Sequence, residues 1–219
     1  MKKLYLASSI DVTAAGVAKD IGKDPKRLRM AFISTAAEPE KGNKDWLDDD
    51  RNGLIKVGFD LFDYTITDKT VKDFQNDLQG VDIIHVNGGN TFYLLLQARK
   101  SGFDKWIRES VENGKIYTGS SAGSIIASPD IKVIKNLDKS YWKELKTFEG
   151  FGLVDFIIFP HWGNKYFKSS YLNHRLKTAY KPENKIILLN DRQYVKVEND
   201  MYQIAEVPLL KNSPEVDTK

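Results

Sequence analysis

The sequence predicts a three-layer α/β fold, a largely parallel sheet with helices on both faces. Short apolar runs bounded by turn residues alternate with longer amphipathic ones, the pattern of strands feeding helices. Several short runs, IIHV at 83–86 and IILL at 186–189 among them, are apolar at consecutive positions, as strands covered from both sides are. The length, 219 residues with 41% hydrophobic side chains, suits one domain with a sizeable core.

Taken in order, strands are expected at residues 3–8, 29–34, 60–65, 82–87, 115–119, 156–159 and 185–190. Helical spacing runs over 45–58, 91–101, 104–113 and 171–180, and Gly102 and Asn113-Gly114 supply stops. YVKVE and MYQIAEV, separated by Asn199-Asp200, read as a hairpin appended to the sheet. With no repeat, low-complexity segment or linker, residues 1–210 form one expected catalytic domain. Residues 211–219, polar and holding a proline, are an expected frayed tail.

Composition excludes several chemistries. Lys and Arg total 33 against 30 Asp and Glu, a net charge of +3 with both signs scattered, so no basic stripe exists to track nucleic acid. The absence of cysteine rules out disulfides, Cys-ligated metals and a thiolate nucleophile. An imidazole base must be His85, His161 or His174. Asp11 interrupts the N-terminal apolar residues before a secretory segment forms, and no run approaches the roughly 20 apolar residues of a membrane span. A soluble, cytoplasmic protein without membrane partners is expected.

The chemistry concentrates in KIYTGSSAGSIIASPD. A strand ending at Thr118 runs through Gly119-Ser120-Ser121-Ala122-Gly123 into an apolar, helix-like run, the strand-to-helix context in which G-x-S-x-G has meaning. Glycines two before and two after Ser121 let strand and helix approach closely and lift its hydroxyl out at the carboxyl end of the sheet. The Ala122 N–H then points to the same space as an oxyanion donor. One strand earlier, VNGGNTFYLLL repeats the pattern. Gly88-Gly89 expose backbone N–H groups, and Asn90 or Thr91 caps the next helix.

Ser121 needs a base and an orienting acid. His161 follows FIIFP and is placed at the end of a central strand, at the same rim as Ser121. His85 lies inside a strand, and His174 lies mid-helix among Asn173, Arg175 and Lys177. Asp191, just after IILLN, fits the acid, with Asp130 and Asp138 as alternatives.

In this order the segments VNGGNTFYLL, TGSSAGSIIASPDI, FPHWGN and LLNDRQYVKV resemble the peptidase E and cyanophycinase family of serine hydrolases, over nearly the whole chain. FISTAAEPE is similar to that family's second strand and loop. The resemblance implies a class I glutamine amidotransferase-like (flavodoxin-like) sheet, with Ser121 as nucleophile, His161 as base and Asp191 as acid. It implies Gly89 and Ala122 as the oxyanion donors, and neither metal nor cofactor. Its members act on short peptides, with N-terminal Asp in the dipeptidases, so Arg175, fourteen residues past His161, is the expected host of an acidic side chain. The competing reading of Arg175 is a solvated helix charge. Asn90 is the second expected substrate contact. Ser120 replaces the bulky residue that precedes the serine in typical aspartyl dipeptidases, and Asp191 stands where some members have Glu. The resulting expectation is a monomeric or homodimeric serine peptidase taking short peptides. The alternatives are a non-catalytic ligand- or partner-binding module and an esterase or amidase on a non-peptide substrate.

Overall fold

A computed structural model describes residues 1–137 and 141–208. Asp138 and the expected tail at 211–219 lie outside the described residues. In chain order the elements are β1 (Lys3–Ala7), α1 (Ile10–Ile21), β2 (Arg29–Ile33), α2 (Asp45–Lys56), β3 (Asp60–Tyr64), α3 (Val71–Asp77), β4 (Ile83–Val86), α4 (Thr91–Ser101), α5 (Phe103–Glu112), β5 (Ile116–Ser120) and α6 (Ala122–Ile126). There follow β6 (Ile157–Phe159), α7 (Lys168–Ser170), a π-helical turn (Tyr171–Arg175), α8 (Leu176–Ala179), β7 (Ile186–Leu188), β8 (Gln193–Glu198) and β9 (Met201–Glu206). Short 3-10 turns fill several of the connections.

The main sheet has seven strands in the order β3-β2-β4-β5-β1-β8-β9. The run from β3 to β1 is parallel, and the β8–β9 hairpin joins β1 antiparallel. Alternation along the strands divides two cores, one on each face. Leu4, Leu6, Ala31, Ile33, Ile84 and Val86 pack with α3, α4, α5 and α6. Tyr5, Ala7, Met30, Phe32 and Ile83 pack with α1 and α2. This is the expected three-layer architecture.

Two expectations about elements need correction. The strands expected at 156–159 and 185–190 pair with each other, β6 with β7, in a separate two-stranded parallel sheet. An apolar run reports burial on both faces and not which sheet provides it, so His161 does not follow a central strand. Helices α1 and α3 were absent from the expected set. In α1 the buried positions Ile10, Ala14, Val17, Ala18 and Ile21 do keep helical spacing, but Ala14, Ala15, Gly16 and Ala18 give that face weak contrast. Gly16 is small for a reason: a Cβ there would stand 2.8 Å from Val207 Cγ1.

Candidate active site

Parallel strands deliver their carboxyl ends to one rim. Ser8 follows β1, Asn87 to Gly89 follow β4, and Ser121 follows β5. Ser121 has φ +48°, a conformation side chains other than glycine rarely adopt. The flanking glycines make that turn possible by contact. A Cβ on Gly123 would sit 1.8 Å from the Val86 carbonyl oxygen, and one on Gly119 would sit 2.7 Å from Gly123. The hydroxyl of Ser121 faces a cavity of about 680 Å³.

His161 reaches this rim from the small sheet. The parallel β6–β7 register continues past the strands, with Leu189 N–H donating to Phe159 O and Trp162 N–H to Leu189 O, both at 2.9 Å. That ladder sets the loops carrying His161 and Asp191 side by side. His161 Nδ1 lies 2.5 Å from Asp191 Oδ1, and its Nε2 lies 3.0 Å from Ser121 Oγ. The imidazole stacks on Phe167, with ring centroids 4.9 Å apart and planes 13° from parallel. Burial of Asp191 opposes its ionisation, yet hydrogen bonds from His161, Ser8 and Asn164 and the His161 charge hold its carboxyl below the ordinary carboxylate range.

Ser8 went unseen in the sequence, and it ties the two parts together. β1 lies between β5 and β8, with Ala7 opposite both Ser120 and Tyr194, so the end of β1 falls between the serine turn and the Asp191 loop. The Ser8 hydroxyl donates to Asp191 Oδ1 at 2.8 Å and accepts the His161 backbone N–H at 2.7 Å. Its only sequence signal was its position at a strand end.

Other expected residues fall as follows. Gly89, at φ +127°, lies on the cavity wall, and a Cβ there would stand 2.2 Å from Ala36 O. Ala122 is the first residue of α6, where helix N–H groups lack intrahelical partners. Asn90, between the lining residues Gly89 and Thr91, caps α4. Its Oδ1 accepts from Phe92 and Tyr93 N–H at 3.1 and 2.9 Å, a demand a substrate contact would have to share. Arg175 is not a solvated helix charge but only 2% exposed, its guanidinium 4.5 Å from the Tyr171 ring centroid on the cavity wall. Its Nε and Nη1 have no hydrogen-bond partner. Burial draws its pKa down, and Tyr171 opposes that.

Of the remaining candidates, His85 is wholly buried, held by Thr118 and Asn87, and pushed by burial down to about 4. It is a neutral core histidine. His174 is exposed. Asp130 accepts the Lys132 N–H in a turn and takes no part in the cavity wall. Among the described residues no group of three His, Asp or Glu side chains could hold a metal ion, and no helix is long and apolar enough to cross a membrane.

The model of peptidase family S51 matches residues 13–205. An uncharacterised peptidase of Listeria monocytogenes is 30% identical over 89% of this chain and 94% of its own. An uncharacterised peptidase of Pasteurella multocida is 32% identical over 75% of this chain and 79% of its own. Peptidase E of Salmonella arizonae is 31% identical over 54% of this chain and 52% of its own. A crystal structure of a candidate peptidase E protein from Listeria monocytogenes superposes with a TM-score of 0.83 at 28% identity, over 95% of this chain and all of that one.

Proposed function

The chain belongs to peptidase family S51, and from that premise we propose that it is a serine peptidase in which Ser121, His161 and Asp191 act as one catalytic unit on short peptides. The observation that carries this is the unbroken run from Ser121 Oγ through both ring nitrogens of His161 to Asp191, at 3.0 and 2.5 Å. His161 Nε2 takes the hydroxyl proton as Ser121 Oγ attacks the peptide carbonyl. Asp191, held ionised, fixes the tautomer that carries its proton on Nδ1 and offsets the imidazolium charge. Gly89 and Ala122 N–H groups stabilise the oxyanion. The imidazolium returns the proton to the departing amine, and water, activated by the same His161, releases the acyl group.

Within this reading the preferred peptides begin with Asp, and Arg175 receives the acidic side chain. Its support is the buried guanidinium with two unpartnered nitrogens, because a buried donor without an acceptor is costly until a ligand supplies one.

Labelling with a fluorophosphonate probe and hydrolysis of a dipeptide panel test both parts. The expected result is labelling lost in Ser121→Ala and cleavage of Asp-X peptides that loses its preference over Ala-X in Arg175→Ala. Equal labelling of wild type and Ser121→Ala overturns the catalytic assignment, and an unchanged preference in Arg175→Ala overturns the specificity assignment. Binding of peptides without turnover would favour the binding-module alternative. Ester turnover dependent on His161 with no peptide cleaved would favour the esterase.

A further inference from the structure

The cavity around Ser121 is lined by side chains of both charges. Among the described residues Arg175 is the only Lys or Arg on its lining, whereas Asp11, Glu40, Asp49 and Asp50 bring carboxyl groups to it besides Asp191. Among the described residues none of those four forms an ion pair. Asp11, Glu40 and Asp49 are exposed and solvated, but Asp50 is only 6% exposed. Its Oδ1 accepts the Asp11 N–H at 3.2 Å, and its Oδ2 accepts the Ser120 hydroxyl at 3.3 Å. The amide nitrogen of Asn87, fully buried, approaches the same carboxyl group without closing a hydrogen bond. Burial first, and the neighbouring Asp11 charge second, push the Asp50 pKa up to about 7. Such a carboxyl group lacks a counter-charge.

Two further observations show what would supply it. Trp46 stands beside the nucleophile: a Cβ built on Gly88 would lie 3.5 Å from Trp46 Cζ3 and 3.4 Å from Ser121 Cβ. An aromatic ring on the cavity lining is a group that favours a cation. Independently, Arg175 presents unpartnered buried donors to the same cavity and calls for an anion. One molecule that satisfies both carries an anionic and a cationic group close to a reactive carbonyl.

We infer that Asp50 anchors the free α-ammonium group of the peptide substrate, so that the site reads the amino terminus itself as well as the first side chain. Position selects this cation over a lysine or arginine side chain. Asp50 is bonded to Ser120, the residue next to the nucleophile. The α-ammonium is the substrate cation joined to the attacked carbonyl through a single carbon, and Asp50 is the buried carboxyl group among the four, whereas Asp11, Glu40 and Asp49 are exposed. The same geometry gives the small Ser120 a role. A bulky residue there would take the space through which Asp50 reaches β5, and Ser120 is itself fully buried.

This inference rests on the peptidase reading, and binding to an inactive variant tests it separately from catalysis. Calorimetric titration of Ser121→Ala compares Asp-Leu with succinyl-Leu, the same molecule without its α-ammonium. Asp-Leu is expected to bind about 10- to 100-fold more tightly, the worth of hydrogen bonds to a charged group. Adding Asp50→Asn should reduce that preference to about threefold or less, by weakening Asp-Leu alone. Asp50→Glu, which keeps the charge but displaces it, should retain part of the preference. Equal affinity of the two ligands for Ser121→Ala, or no binding of either, overturns the inference whether or not the Asn variant folds. So does a preference that survives Asp50→Asn, or an equal loss for both ligands, which would mark Asp50 as structural. Turnover of Asp-Leu by the wild type reports on the catalytic reading by itself.

Discussion

Ser121 stands at the end of a strand buried on both faces within a seven-stranded sheet, whereas His161 and Asp191 leave a sheet of two strands with three residues each. The serine half is held by close approach: Gly119, Gly123 and Gly89 each occupy a place where a single methyl group would collide with backbone. The histidine half is held by hydrogen bonds and stacking, through the ladder between the two loops, the Phe167 ring and the Ser8 clamp. Close packing tolerates no added volume, while a polar clamp can weaken by degrees. The two halves should therefore fail differently.

The largest effect sharpens the chemistry shared by both. Ser121→Ala should lower kcat by on the order of 10⁴-fold or more, since members of such a unit act together. Residual peptidase activity within about tenfold of wild type, in steady-state assays, would mean that another group attacks the carbonyl. Next, Gly123→Ala should cost more than about 3 kcal/mol of stability or prevent folding, because its methyl group would meet the Val86 carbonyl at 1.8 Å. Urea unfolding measures this, and a loss under about 1 kcal/mol would break the claim that close packing holds the serine half.

Two buried groups give the serine half a particular response to pH. His85 is pulled from 6.5 to about 4, so its unfolded form binds the extra proton, and it withdraws about 3 kcal/mol of stability as pH falls through that interval. Asp50 is raised from 3.8 to about 7, so it works in the opposite sense, withdrawing stability as pH rises through its interval. Relative to wild type, Asp50→Asn should therefore gain stability steadily from pH 4 to 7, while His85→Gln should gain as pH falls from 6.5 to 4. Parallel stability curves for wild type and variants would refute it. The smallest effect belongs to the histidine half. Ser8→Ala should leave the fold intact and lower kcat by about 5- to 100-fold, the cost of an unsatisfied hydrogen bond at Asp191 and at the His161 N–H. A change in KM alone would show that Ser8 does not position the imidazole.

The same contrast explains what could be read in the sequence. Close approach demands glycine, and glycines at fixed offsets from a serine are visible as letters, so the serine turn and the Gly88-Gly89 loop were located from Gly119, Gly123 and their neighbours. His161 is a candidate because only three histidines exist and Asp191 because it follows a strand, but the sheet that carries them is not the central one the sequence suggests. Partnerships between residues far apart in the chain leave no such trace. Ser8 meets Asp191 across 183 positions, and Asp50 meets Ser120 across 70. Arg175 was noticed by its position, but its burial depends on Tyr171 and Phe167, whose rings enclose it only after folding.

That enclosure depends on the π-helical turn Tyr171–Arg175. Such a turn is an ordinary helix carrying one residue too many. Removing one exposed residue from it, Asn173 for instance, would restore α-helical phase and swing whatever follows by about 100° around the axis. Arg175 would then leave the cavity although no side chain in its lining had been exchanged. If Arg175 reads the first side chain as proposed, a change in chain length within this one turn would alter which peptides are taken, an effect that substitution-by-substitution comparison would overlook.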